Sequence, residues 1–242
     1  MKLHICDDVN ELSKHSAAWI AALIKETLER QDRFTIALSG GSTPQKLHAL
    51  LSSYPHREEI DWSKLHIFWG DERYVPFEDS RNNAKMAFDT LLNNVDVPTE
   101  QIHIMQTDIA PEESAVAYEK ELQKYFGETG PTFDLVLLGM GDDGHTLSLF
   151  PGTEVVNEQS SWTAAFYLDA QSMYRITLTA PVVNRSANVA FLTAGANKAP
   201  ALKQVLEGDF QPNQYPSQLI KPAGELHWFI DKEAAALLSN VY

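Results

Sequence analysis

Five short, nearly continuous apolar runs set the narrowest limits on the architecture: FTIAL (34–38), LHIFW (65–69), FDLVLL (133–138), NVAFLTA (188–194) and LHWFID (226–231). A strand with one solvated face alternates apolar and polar residues, whereas a strand covered on both faces reads as an unbroken apolar run. Between these runs lie stretches with apolar residues at helical spacing: Glu11 to Arg30, about Pro44 to Leu51, about Asn83 to Leu92, and Glu112 to Phe126. NKAPALKQVL and a segment ending near Leu238 complete the series. The alternation predicts an α/β fold, with a mostly parallel, Rossmann-like sheet and helices on both faces. WTAAFYL and YRITLT follow each other closely, which allows some antiparallel pairing there. No repeat, low-complexity tract or composition break marks a linker, so one domain over residues 1–242 is expected. At 44% hydrophobic, the 242 residues can bury a full core.

The formal charge of −14 disfavours nucleic acid or an anionic membrane surface as the main partner. A small anion stays possible, because a few local donors decide its binding. MKLHICDDVNELSKH carries acids where a signal peptide needs an apolar core, and AAWIAALI is far too short to span a bilayer. Cys6 is the single cysteine, so neither a disulfide framework nor a thiolate cluster is expected, and Cys6 reads as a small buried residue. These features predict a soluble cytoplasmic protein.

In a fold of this kind, ligands bind beyond the carboxyl ends of the strands. Four strand tips carry glycine beside polar or ionisable residues: Ser39-Gly40-Gly41-Ser42, Gly70-Asp71-Glu72-Arg73, the stretch GMGDDGHTLSLFPG (139–152), and Gly195-Ala196-Asn197-Lys198. SGGSTP follows a strand and opens a helix. Its glycines permit close backbone approach, and Ser42 or Thr43 is positioned to cap the helix with Pro44 in the first turn. A phosphate cradle at the helix start and an ordinary capped turn are equally open readings. In GDERYVP, Arg73 offers a fork of donors for a phosphate or a carbonyl. Asp71 and Glu72 are placed to orient it or act as a base, although a solvated charged turn is the commoner fate of such a triplet.

GMGDDGH has the spacing of a dinucleotide turn, and Asp169 ends the next strand as a ribose-binding acid would. Against that, Asp142 and Asp143 would repel a pyrophosphate, and Pro151 cuts short any helix beginning at Thr146. His145 suits acid–base chemistry, with Asp143 near enough to orient the imidazole. An isolated histidine in a turn is nonetheless most often surface decoration. Arg175 and Lys198 are single cations beside strands, a pattern more often snorkelling than binding. There is no G-x-S-x-G elbow, no H-E-x-x-H, no paired metal-ligand spacing among the eight histidines, and no evident covalent nucleophile.

SGGSTP, WGDERYVP, GMGDDGHTLSLFPGT, RITLTAP and GANKA stand in the order and spacing of 6-phosphogluconolactonases, which the chain resembles from about Phe34 to Lys198 and more weakly beyond. The resemblance implies the fold shared with glucosamine-6-phosphate deaminases. It also implies cofactor-free hydrolysis of 6-phospho-D-glucono-1,5-lactone in the pentose phosphate pathway, with that sugar phosphate lactone as the partner. By matching position, His145 would be the general base, Asp143 its support, and Arg73 the group that steadies substrate or oxyanion. Amides of the glycine turn would assist, while Ser39, Gly40, Gly41, Ser42, Arg175 and Lys198 would hold the phosphate. Deaminases, the main alternative, typically carry D-E-Y in the second motif and a glutamate five residues beyond the histidine. Here those positions are Arg73 and Phe150. The family commonly has Ser-Asn where this chain has Asn82-Asn83. A sugar-phosphate sensor on the same scaffold is a third reading. Such regulators usually lose the histidine or carry a DNA-binding helix-turn-helix, and this chain keeps His145.

Overall fold

Each predicted apolar run forms a strand of one parallel sheet. The structure, a computed structural model, describes residues 1–239. In chain order the elements are β1 (Lys2–Cys6), α1 (Val9–Leu28), β2 (Phe34–Leu38), α2 (Ser42–Leu51), α3 (His56–Glu59), β3 (Leu65–Trp69), β4 (Asp71–Arg73), α4 (Asn83–Thr90), α5 (Pro111–Phe126), β5 (Leu135–Gly139), β6 (Thr163–Leu168), β7 (Met173–Leu178), α6 (Ala180–Val183), β8 (Asn188–Thr193), α7 (Ala199–Glu207) and β9 (Glu225–Asp231). Six strands form the main sheet in the order β1-β9-β8-β5-β2-β3, every pair parallel. A second sheet, β4-β7-β6, is antiparallel.

The unbroken apolar runs are explained by two cores, one on each face of the main sheet. Ile36, Leu38, Leu135 and Leu137 face Leu12 and Ile20 of α1 and Leu47 of α2. The alternate residues Ala37, Val136 and Leu138 face Tyr118 and Leu122 of α5, Leu202 of α7 and Ile176 of β7. The period of two thus splits each run between two buried faces. The antiparallel sheet belongs to the second core, which confirms the pairing of WTAAFYL with YRITLT. Cys6 is buried as expected. Asp8, which accepts from the main-chain N–H groups of Asn10 and Glu11, starts α1; losing such a cap costs about 1 kcal/mol.

Two expectations fail, and one strand carried no signal in the sequence. KLHIC alternates too briefly to signal a strand, yet it forms edge strand β1 against β9. Residues 232–237 form successive turns instead of a helix. Asp231 accepts from the N–H groups of both Ala234 and Gly195, and Lys203 Nζ holds the Leu237 carbonyl, so this segment is tied down at both ends. The residue at the helix cap of α2 is Gly41, with φ of 111°, and no hydroxyl side chain caps it.

The strand order reverses between β2 and β5: β2 leads outward to β3, whereas β5 leads through β8 to β9. The loops after β2 and β5 therefore part at their carboxyl ends, and a crevice opens there.

Candidate active site

A cavity of about 420 Å³ occupies that crevice. Ser39, Gly40, Gly41, Arg73, His145, Arg175 and Lys198 all line it, so four separate strand tips meet as the sequence predicts. Asp143 stands behind His145, and Ser42 is exposed at the start of α2, outside the cavity wall. A larger cavity of about 790 Å³ between residues 102–108 and α5 is lined by Asp108 and Glu121 and by no lysine or arginine. An anionic ligand belongs in the first.

The glycine turn after β5 aims the imidazole. Gly141 donates its N–H to the His145 carbonyl at 2.8 Å, and the chain reverses at Gly144 with φ of 79°. A Cβ on Gly141 would lie 2.1 Å from His145 Nδ1, so only glycine lets the ring fold back over the turn. Asp143 Oδ1 lies 2.6 Å from His145 Nδ1 and also accepts the His145 main-chain N–H at 3.0 Å. Partial burial pushes the Asp143 pKa up, but these bonds from His145 outweigh it and hold the carboxyl below its ordinary value. With Nδ1–H donating to Asp143, the free lone pair is on Nε2. The Phe150 ring stacks on the imidazole at 4.1 Å. No helix follows this turn: Thr146 and Leu149 form a small bridge, which removes the dinucleotide reading. The N–H groups of Gly141 and Gly144 are both bonded within the turn, so neither is free as the amide donor expected there.

The charges of GDER do not form a solvated turn. They form β4, with Asp71 and Glu72 buried. Glu72 turns away from the cavity and accepts the N–H groups of Arg73, Asn83 and Ala84 at 2.7–2.9 Å, which fixes the start of α4. Burial nevertheless raises its pKa to about 7 against those three bonds. Glu72 is therefore neither the orienting partner of the Arg73 guanidinium nor a base. Arg73 is steadied instead by the Arg81 carbonyl, 3.0 Å from Nη1. Asp71 lines the cavity and accepts from Ser148 Oγ at 2.6 Å.

Arg175 does not snorkel, being only 4% exposed. It stands opposite Arg73 in the β4–β7 register. Like charges directly opposite each other destabilise a sheet unless an anion joins them. Asp71 Oδ2 lies 3.8 Å from Arg175 Nη1, and the Arg73 and Arg175 Nε–H groups have no protein partner. Burial lowers the Arg175 pKa, Asp71 acts to raise it, and Arg73 lowers it further. Two under-paired guanidiniums and Lys198 thus converge on one cavity. Among the described residues no group of three or more histidine, cysteine, aspartate or glutamate side chains has the geometry of a metal site. No described helix is long and apolar enough to cross a membrane.

The sequence profile described as glucosamine-6-phosphate isomerases/6-phosphogluconolactonase matches residues 7–228. The chain belongs to that family. It is 42% identical over 241 residues to a 6-phosphogluconolactonase of Nostoc sp., with 98% of each chain covered. The solved 6-phosphogluconolactonase of Trypanosoma brucei superimposes with a TM-score of 0.86 at 30% identity, covering 98% of each chain. A solved monomeric glucosamine-6-phosphate deaminase shares the fold, with a TM-score of 0.85 at 23% identity, covering 98% of this chain and all of that one.

Several residues in or beside the cavity of this family member were given no role by its motifs. Asn83 gives its side-chain N–H to the Asp71 carbonyl at 2.9 Å, and a Cβ on Gly40 would fall 1.8 Å from its Oδ1. Gly40 is thus required by the side chain across the crevice. Asn82 caps α4 by accepting from Lys85 N–H, a role serine fills equally well, which accounts for the Ser-Asn exchange. The polar residue N-terminal to a helical run was the available signal for Asn82. Gln171 and Met173, from the β6–β7 connection, carried none.

Proposed function

We propose that this chain hydrolyses 6-phospho-D-glucono-1,5-lactone to 6-phospho-D-gluconate, the lactonase step of the pentose phosphate pathway. The observation that carries this reading is the stacking of Phe150 on His145 beside the Arg73–Arg175 pair. A deaminase places a carboxylate where Phe150 stands, and opening an amino-sugar ring with proton relay needs it. Lactone hydrolysis needs one activated water and a protonated leaving oxygen. His145 Nε2 takes a proton from water as its oxygen attacks C1. The carbonyl oxygen becomes an oxyanion steadied by Arg73. The C1–ring oxygen bond then breaks, the ring oxygen leaves as the C5 hydroxyl by taking back the proton held on His145, and the new carboxylic acid ionises to solvent. Arg175, Lys198 and the cavity-lining loop residues Ser39, Gly40 and Gly41 hold the phosphate, with Asp143 orienting the base and Ser42 left outside the site.

On this reading the chain works as a single domain over 1–242 in the cytoplasm, without a cofactor and without nucleic acid or membrane partners. The test is proton release from freshly prepared lactone, with and without protein, alongside ammonia release from glucosamine 6-phosphate. Lactone hydrolysis well above the spontaneous rate with no ammonia supports the proposal; the reverse pattern supports the deaminase.

A further inference from the structure

The guanidinium of Arg175 is held in an unusual way for a buried cation. Its Nη2 donates to Oε1 of Gln171, four residues earlier. Asp71, its carboxylate neighbour, is 3.8 Å from Nη1, beyond a hydrogen bond, and is already engaged by Ser148 Oγ. Arg73 faces it across the strand pair, and Arg175 Nε–H has no protein partner. Thus the hydrogen bond that satisfies this 4%-exposed cation goes to a neutral oxygen on an exposed side chain. Gln171 ends a 3-10 turn, and the next residue, Ser172, takes the left-handed conformation with φ of 51° and ψ of 43°. That bend directs residue 171 back over the cavity mouth, which it lines together with Arg175.

A carboxylate at 171 would satisfy Arg175 better, since it adds the attraction of opposite charges to a bond that only the guanidinium now assists. It would also cancel the positive charge that an anion must meet. An amide of the same length keeps the guanidinium oriented and hydrogen-bonded while leaving its charge available. Because Gln171 is exposed, its oxygen is rehydrated when it lets go, so displacement costs little.

We propose that Gln171 is a specificity-determining residue, a neutral placeholder on Arg175 that the substrate's phosphate displaces. The proposal rests on the reading that Arg175 meets that phosphate. It assigns discrimination for a phosphorylated sugar to a residue outside the strands, in the β6–β7 turn.

The test is calorimetric titration of the full chain with 6-phospho-D-gluconate. Gln171→Glu preserves length and shape, so a purely structural role would leave binding unmoved. The placeholder instead predicts a dissociation constant raised roughly 10–150-fold, the value of a charge-assisted bond turned against the ligand. Gln171→Ala, which removes the placeholder without adding charge, should shift it less than about fivefold. The catalytic efficiency of Gln171→Glu should fall at least ten times further with the phosphorylated lactone than with D-glucono-1,5-lactone. If Gln171→Glu binds within twofold of the wild type while Arg175→Gln loses binding, the placeholder is refuted and the phosphate site stands. If Gln171→Ala is as damaging as Gln171→Glu, Gln171 is a direct ligand and the placeholder is again refuted. If Arg175→Gln binds normally, the phosphate placement and the placeholder fall together.

Discussion

The histidine–carboxylate contacts at the cavity rim and at the β1–β9 edge look alike locally, and only the first borders the candidate site. At the rim, His145 meets Asp143 at 2.6 Å. At the β1–β9 edge, His227 Nε2 lies 3.1 Å from Glu225 Oε2, and His227 Nδ1 lies 3.1 Å from His4 Nε2. The edge rings are packed as plates: His4 stacks on Phe229 at 4.3 Å, and Trp19 leans on His227 at 4.5 Å. Glu225 is already paired with Lys2 at 2.8 Å. Burial pushes His4 down to about 4, with His227, His15 and Lys2 adding to it, and burial lowers His227 despite Glu225. The edge histidines are thus held neutral as aromatic filler. At the rim the carboxylate is free of competing cations, the ring borders a cavity, and under-paired guanidiniums face the same space. A histidine–carboxylate pair becomes chemically useful through what surrounds it.

The largest expected difference between the two regions is in turnover. His145→Ala should lower kcat by roughly 10²–10⁴-fold with little change in KM, the range for a positioned general base. His227→Phe should stay within about twofold of wild-type turnover, because the ring's stacking is kept. Near-normal kcat in the His145 variant would abolish the contrast.

Gly141→Ala should come next. Its Cβ would reach 2.1 Å from His145 Nδ1 and 2.5 Å from Asp143 Oδ1, so the imidazole must move. A misplacement of about 1 Å costs roughly 10²-fold in rate. Steady-state kinetics on a variant with an unchanged circular dichroism spectrum checks this; wild-type kcat would show that the turn does not aim the base.

Removing a phosphate cation should cost less. Arg175→Ala or Lys198→Ala should each lower kcat/KM for the phosphorylated lactone by roughly 10–150-fold, the worth of one charge-assisted hydrogen bond. Losses below threefold would leave Arg73 and the glycine loop as the phosphate ligands.

The two regions should also respond oppositely to pH. His4 and the buried His48 are each pushed from 6.5 to about 4, chiefly by burial. Their folded pKa values are depressed, so the stability they contribute is full above pH 6.5 and is lost as pH falls through 4. Glu72, buried in β4 behind the rim, is raised from 4.5 to about 7 by burial, so its contribution is full below pH 4.5 and is lost as pH rises through 7. Urea-unfolding midpoints from pH 4 to 8 should therefore lose part of their acid-side fall in His4→Phe and part of their neutral-side fall in Glu72→Gln. Profiles superimposable on the wild type would refute both. The smallest expected effect is that of a chelator: prolonged dialysis should leave activity unchanged, and a loss restored by zinc would contradict the account of water activation.

Sequence reasoning served these regions unequally for a physical reason. Runs such as FTIAL and FDLVLL are fixed by covered faces on both sides of a strand, a local pattern. His145 and its glycines lie within one phrase, so their geometry is local too. By local pattern Arg175 read as a surface cation, and only the family resemblance made it a phosphate ligand, because its burial depends on Phe150 and Asp71, which arrive from distant segments. The same holds for β4: three charged residues become a strand only because β7 pairs with them. The expected helix ending near Leu238 had good local propensity but yielded to the tertiary ties at Asp231 and Lys203. Gln171 acts through a side chain reaching across a bend, which no spacing rule records.

The most direct test crosses the two halves of the rim with two substrates, measuring kcat/KM of the wild type, His145→Ala and Arg175→Ala on 6-phospho-D-glucono-1,5-lactone and on D-glucono-1,5-lactone. The account predicts that His145→Ala lowers both in similar proportion, whereas Arg175→Ala lowers the phosphorylated lactone at least tenfold more than the other, by the worth of a charge-assisted bond. Equal losses on both lactones in the Arg175 variant, or a His145 variant impaired on one lactone alone, would contradict the division of that rim into a base and a phosphate clamp.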